Sequence, residues 1–534
     1  MGQPDETSVS DDIPEKRHTL LLVNPAIRFK HYTARQELCE LLGKRSSISP
    51  LALPILAAHT PLHYDVRIVD EETGALSFNP TPELVGITTT AASAERAYEI
   101  ADAFRASGAV VVMGGVYATS RPDEALEHAD SVVIGEAEGV WRTFLDDFER
   151  GEVRPKYRSD GFCDFATSPI PRWDLVDTER LLLLNVEVSR GCPYDCEFCV
   201  VPEMYGRRMR YRDIDNVVAE IESLPLKRIL FVDDNLTFNK RYAAELVARL
   251  KGRGLSWACQ SSIEIAHHDD LLREMAESGC MSILVGFESL NAASLEETGK
   301  RHNTISEYET VIAKIHAHGI HVFASFMIGF DSDTPDDLDR IFEFILKNNL
   351  PFSALSILAV APGTRVYERM RAEGRLIDIP PRYVNGVLPT MRYNHFSLVE
   401  MLDRYYETAS RVYDFDNVRK MGLELFSNGA FNHLQEDVGT LEKIKTTAIL
   451  VKRYLFTRDR AKRTLFRELF AMHRKGIIGI NEIVIFLLSM EGFHEFFEKA
   501  REYLPEVRAE LAVIDPGSYS NPGGEIRGAV RRTS

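Results

Sequence analysis

Short apolar runs alternate with amphipathic stretches through the first quarter of the chain. "TLLLVNP" (19–25), "DVRIVDE" (65–71), "LVGITTT" (84–90), "AVVVMGG" (109–115) and "SVVIGE" (131–136) have the length and composition of strands ending in polar or glycine-containing turns. Between two of them, "SAERAYEIADAFRASG" places Ala97, Ile100, Ala101 and Phe104 on one helical face. Ser93 can cap that helix and Gly108 can end it. Strands alternating with helices predict a parallel, doubly wound sheet. Such sheets hold ligands beyond the carboxyl ends of their strands, which here carry Asn24, Thr88, Thr89, Thr90, Gly114, Gly115, Gly135 and Glu136.

From 151 to 180 prolines increase and periodicity fades, so this segment reads as a linker after a first domain spanning 15–150. A second series then begins. "LLLLNVEVS" (181–189), "RILFVDDN" (228–235), "LSWACQSSI" (255–263), "SILVGFESL" (282–290), "HVFASFMIGF" (321–330) and "FSALSILAVAPGT" (352–364) read as six strands with helices between them. Six strand–helix units over 181–385 predict a parallel barrel or part of one, with its chemistry at the carboxyl-terminal mouth. From 390 to 515 the pattern is helical throughout, and 516–534 has the composition of a disordered tail.

Composition narrows the function. The net charge of −17 argues against a nucleic-acid partner, which would need a basic footprint. Seven cysteines in 534 residues make no disulfide framework. The first 18 residues have no secretory pattern. The most apolar stretch, "GIIGINEIVIFLLSM", is too short to cross a bilayer and contains Asn481 and Glu482. A reducing, cytoplasmic location is expected, and peripheral membrane contact stays open.

Three of the seven cysteines fall within eight residues, in "SRGCPYDCEFCVV". Cys192, Cys196 and Cys199 follow a predicted strand, where a loop can wrap three thiolates round one soft metal centre. Zinc would ask for a fourth Cys or His, and none is near in sequence. A four-iron cluster held by three cysteines keeps one iron open to a small molecule. The other cysteines, Cys39, Cys163, Cys259 and Cys280, are scattered and make a second cluster improbable. "HAHGIH" (316–321) does not bring its three histidines to one helix face, and "YGRRMRYRD" (205–213) reads as a solvated or ion-paired turn, with an anion-binding site as the alternative.

The cysteine loop, with Phe198 directly before Cys199, resembles the signature of the radical S-adenosylmethionine superfamily. The resemblance implies a [4Fe-4S] cluster on Cys192, Cys196 and Cys199, whose open iron is chelated by the methionine part of S-adenosylmethionine. It further implies reductive cleavage to a 5′-deoxyadenosyl radical. By the same resemblance Phe198, Asp233, Asp234, Gly286, Glu288 and Gly329 would surround the nucleotide, with Glu288 toward the ribose. A turn role for the aspartates and a buried ion pair for Glu288 are the alternatives.

A flavodoxin-like sheet ahead of such a barrel resembles the cobalamin-dependent branch of the superfamily, over residues 15–385. "VGITTTA", "VVMGGVYATSRPDEAL" and "VVIGEAEGVW" match its phrases. This implies cobalamin at Asn24, Thr88, Thr89, Thr90, Gly114, Gly115, Tyr117, Gly135 and Glu136. Tyr117 departs from the histidine common there, and no Asp-x-His-x-x-Gly supplies a lower cobalt ligand. The helical region resembles the C-terminal extension of hopanoid C-2 methylases, among others. The expected activity is methyl transfer to an unactivated carbon of a small molecule or lipid, with a low-potential electron donor such as flavodoxin or ferredoxin. Radical cyclisation, oxidation or rearrangement, and a non-catalytic cobalamin or redox sensor, are the alternatives.

Overall fold

The computed structural model describes residues 18–28, 31, 36–430 and 448–515. The predicted tail at 516–534 and the first three residues of the expected 15–150 segment lie outside them. The first sheet contains β1 (His18–Asn24), β2 (Tyr64–Asp70), β3 (Leu84–Thr88), β4 (Val110–Gly114), β5 (Ser131–Ile134) and β6 (Lys156–Arg158). Their order is β2-β1-β3-β4-β5-β6, and every pairing is parallel. The first five are the strands read from the apolar runs. β6 falls in the segment read as a linker, because its three residues, Lys-Tyr-Arg, bury only Tyr157 and leave no apolar run.

Each face of this sheet is covered. Ala97, Ile100, Ala101 and Phe104 of helix Ala94–Ala106 pack on one side against Val85, Ile87 and Val111. Leu53 and Ala57 of helix Ala52–Ala58, with Trp141, Phe144 and Leu145, pack on the other against Leu20, Leu22 and Val112. All carboxyl ends therefore point the same way. The reversal of strand order beside β1 opens a crevice there.

The second sheet holds β7 (Leu184–Val186), β10 (Arg228–Phe231), β11 (Ser256–Ser261), β12 (Cys280–Glu288), β13 (His321–Ile328) and β14 (Ser353–Ile357). The order is β14-β13-β12-β11-β10-β7, again parallel, with β7 and β14 as unclosed edges. This is the partial (β/α)6 barrel. A two-stranded antiparallel ladder, β8 (Ser189–Arg190) with β9 (Arg210–Tyr211), closes the base of the cysteine loop.

The helices Leu398–Val412, Phe415–Ser427, Arg460–Arg474 and Ile480–Ile514 share one continuous apolar cluster with the barrel. Tyr405 donates to the carbonyl of Leu355 at 2.9 Å, tying the first of these helices to β14. Ile483, Phe486 and Leu487 are at most 1 % exposed, so the apolar stretch of residues 480–490 is part of a core helix. No helix among the described residues is long and apolar enough to cross a membrane.

Candidate functional site

The strand β7 ends at Val186, and the chain turns into the cysteine loop between two carboxyl-terminal mouths. Cys192, Cys196 and Cys199 all line one cavity of about 310 Å³ at the barrel mouth. Phe198, Asp234, Gly286 and Glu288 line it too. Burial raises the thiol of Cys192, pushes Cys196 up to about 11 and pushes Cys199 up to about 12. Three thiols so disposed resist ionising until a cation arrives. Among the described residues no three His, Cys, Asp or Glu side chains converge as a single metal ion would require. Three thiols from one loop are the ligand number that leaves one iron of a four-iron cluster open to a small molecule.

One cation is built into the wall. Burial works against the Lys300 ammonium, but the charges of Glu288, Cys196 and Cys199 overcome it and hold its pKa above the usual lysine value. Lys300 is ion-paired with Glu288 and lies 5.9 Å from the Phe198 ring centre. Glu288 ends β12 at φ 64°, beside an irregularity in the β12–β13 register. Gly286 leaves room for this pair: a Cβ there would stand 2.3 Å from a Glu288 carboxylate oxygen and 2.8 Å from Nζ of Lys300, so the ion pair would have to shift. Glu288 is thus a buried carboxylate paired with Lys300 that also lines the cavity.

The two aspartates separate. Asp234 faces the cavity, and burial with the nearby charge of Glu187 pushes it up to about 7. Asp233 turns inward and accepts from the Val188 amide at 3.2 Å and from the Ser189 hydroxyl at 2.6 Å. It fastens the backbone leading into the cysteine loop and lines neither cavity. Gly329 also lies off the cavity; its amide donates to Asp333 at 2.9 Å and its α-carbon is packed against Tyr393.

Sequence reading did not single out Asn235, Gln260, Ser261, Ser262, Lys300 or His302, all of which line the cavity. Asn235 is 2 % exposed, and its Nδ2 donor has no hydrogen-bond partner among the described residues. His302 stacks on Tyr194 with ring centres 3.6 Å apart, and burial plus Lys300 lower its pKa to about 4. Isolated polar residues at strand ends carry no periodic signal; only the cysteine spacing does.

A second cavity, about 240 Å³, lies at the carboxyl ends of β1, β3, β4 and β5. Thr88, Thr89, Thr90, Gly114, Gly115, Gly135 and Glu136 line it, over an apolar floor that includes Leu22, Val112 and Trp141. Gly115 sits at φ 93°, and a Cβ there would come within 2.6 Å of the Thr89 carbonyl. Asn24 and Tyr117 do not reach the cavity: Asn24 donates to Asp70 at 2.8 Å and Tyr117 to Glu124 at 3.1 Å. Arg190, Met204 and Tyr205 come from the barrel side to complete the wall. The short helix Val201–Tyr205 consequently borders both cavities, Pro202 facing the cysteines and Met204 and Tyr205 facing the sheet.

Charged pairs span the seam. Arg210 of β9 donates to Glu136 at 2.9 Å, and Arg190 of β8 meets Glu138 at 2.7 Å. The Cys163 amide also donates to Glu136 at 2.8 Å. The arginines of 205–213 are thus mostly engaged, with Arg207 on Asp195 and Arg212 on buried Glu220. His316 is half-buried and accepts from the Val322 amide at 3.3 Å, and among the described residues "HAHGIH" joins no cluster that could hold a metal ion.

Known proteins share this arrangement. Residues 186–345 match the Radical SAM superfamily. A bacteriochlorophyllide d C-12(1)-methyltransferase of Chlorobaculum tepidum is 32% identical over 346 residues, 62% of this chain and 75% of that protein. The chain belongs to the radical S-adenosylmethionine superfamily. Within that family, a hopanoid C-2 methylase of Rhodopseudomonas palustris is 27% identical across 63% of this chain and 67% of its own length. The cobalamin-dependent S-adenosylmethionine radical enzyme OxsB, solved with aqua-cobalamin bound, shares the fold with a TM-score of 0.60 at 14% identity, covering 92% of this chain and 81% of that one.

Proposed function

We propose that this radical S-adenosylmethionine enzyme transfers a methyl group to an unactivated carbon of a small apolar molecule or lipid. The observation that carries the reading is the helix Val201–Tyr205, one wall between a three-cysteine cavity and the sheet-end cavity. Cys192, Cys196 and Cys199 would hold a [4Fe-4S] cluster, and the sheet-end cavity would take part of cobalamin, being too small for the whole. When bound, the cluster supplies an electron for cleaving S-adenosylmethionine, and cobalamin supplies a carrier for the methyl group.

The protein's own groups do the rest. The Lys300 ammonium offsets charge beside the three thiolates. The unpartnered Nδ2 of Asn235, with Asp234, offers polar anchoring to a ligand carrying both donors and acceptors. Gly115 lets a ligand lie against the backbone of the β3 loop, and the Leu22–Val112–Trp141 floor excludes water. The methyltransferase names of the relatives and the apolar floor support methyl transfer.

The test is anaerobic reconstitution with iron, sulfide and cobalamin, followed by reductant, S-adenosylmethionine and a lipid extract. A product heavier by one methylene, formed with 5′-deoxyadenosine and abolished in Cys196→Ala, supports the reading. A product lighter by two hydrogens, or binding without deoxyadenosine, overturns methyl transfer. Protein purified anaerobically with zinc and no sulfide overturns the cluster.

A further inference from the structure

The chain as a whole is acidic, but residues 448–479 contain nine Lys or Arg against two acidic residues. Part of that charge is spent internally. Arg453 and Lys462 pair with the buried Glu491 at 3.0 and 2.9 Å. Lys452, Arg458, Arg460, Arg467, Arg474 and Lys475 are exposed and make no ion pair with a described residue.

These cations are ordered. Helix Arg460–Arg474 buries Leu465, Phe466 and Leu469 against the molecule. Arg460, Arg467 and Arg474, seven residues apart, fall on the opposite face, with Phe470 between the last two. The stripe runs the helix length, roughly 22 Å. Apolar side chains flank it. Phe456, just before the helix, is 82 % exposed, Leu455 is 37 % exposed, and Ile477, just after it, is 40 % exposed. Phe470 is 37 % exposed. The Arg463 guanidinium donates to the Thr457 carbonyl at 2.5 Å, which holds the Leu455–Phe456 turn against the first turn of the helix.

We infer that this face docks on an anionic lipid bilayer. Exposed arginines in a line, bracketed by aromatic and aliphatic tips, are complementary to a surface of anionic headgroups over hydrocarbon. Leu455 and Ile477 gain nothing against a polyphosphate chain but gain by entering the boundary between headgroup and acyl chain. The long-range field of a chain at −17 repels polyanions, so attraction at this stripe acts within about a Debye length of it. The inference is independent of the reaction catalysed at the cysteine cavity.

Co-sedimentation of the full chain with vesicles tests it. Vesicles of phosphatidylcholine with 30 % phosphatidylglycerol should carry the protein down at about 0.1 M salt and release it at about 0.5 M, while pure phosphatidylcholine leaves it in solution. Neutralising three cations in Arg460→Gln/Arg467→Gln/Arg474→Gln should weaken binding on the order of a hundredfold. Phe456→Ser, at a side chain with almost no packing to lose, should weaken it several-fold and keep the salt dependence. Equal sedimentation by the triple variant, no preference for anionic vesicles, or displacement from them by a single-stranded oligonucleotide at lower concentration than lipid would overturn the inference.

Discussion

Lys300 is the residue on which the cysteine cavity's electrostatics turn. Its removal in Lys300→Met strands Glu288 in a buried corner, which should cost about 3–5 kcal/mol, read as a lower urea midpoint. The double variant Lys300→Met/Glu288→Gln should recover most of that loss. In reconstituted protein, Lys300→Met should lower the cluster's midpoint potential, because a nearby positive charge favours the reduced form; a redox titration followed by electron paramagnetic resonance reads the shift. Asp333 gives a residue-scale pH prediction. Burial pushes its pKa up to about 7, against the hydrogen bonds it accepts from Ser294 and the Gly329 and Phe330 amides. Between about pH 4 and 7 the folded state keeps a proton that the unfolded chain has lost, so this group's contribution falls as pH rises. Urea midpoints of Asp333→Asn relative to the parent should therefore climb through that window, by about 1.4 kcal/mol per pH unit. At this scale the sequence was uneven. The three cysteines were legible because their spacing is linear information. Asp233 and Asp234 were inseparable, since neighbouring residues at a strand end face opposite ways and only the packed loop decides which one is consumed by Ser189. Lys300 and Asn235 left no trace, each being one polar residue made functional by chains far away in sequence.

Among elements, strands were easier to read than their edges. β1, β3, β4 and β5 announce themselves because a strand buried on both faces needs an apolar run, while the edge strand β2 shows through Val66, Ile68 and Val69. β6 escaped because an edge strand of three residues buries one side chain. The helical region shows the converse: its periodicity was plain, but not that it would share a core with the barrel. Within the helical region, two helices approach closely at Gly422, where a Cβ would lie 2.4 Å from the Phe486 ring. Gly422→Ala should cost about 1–3 kcal/mol through overpacking of the helices Phe415–Ser427 and Ile480–Ile514. Adding Phe486→Leu should return part of it, measured by thermal unfolding of both variants.

For the whole molecule, the sheet and the barrel are joined by charge as well as by packing. Glu136, with a side chain 1 % exposed, takes Arg210, the Cys163 amide and, at 3.4 Å, Arg190. Arg382 meets Glu95 at 2.6 Å on the far side of the seam. Glu136→Gln leaves Arg210 undercompensated in a dry interface and should loosen the two halves. Trypsin should then cut sooner between residues 151 and 180, while Arg382→Gln, at a more exposed pair, should change cleavage little. The alternation of strands and helices and the acidic total were both visible beforehand; which carboxylates would bridge the halves was not, since that is a property of surfaces brought together by folding.

The five residues from Val201 to Tyr205 serve as a party wall. Whatever settles on the Met204 side must lean on the Pro202 side, so the two chambers cannot be furnished as strangers. Thermodynamic reciprocity then requires that any tightening one tenant confers on the other be returned by the same factor. A calorimetric titration of each chamber, with the neighbouring one vacant and then filled, should close that square.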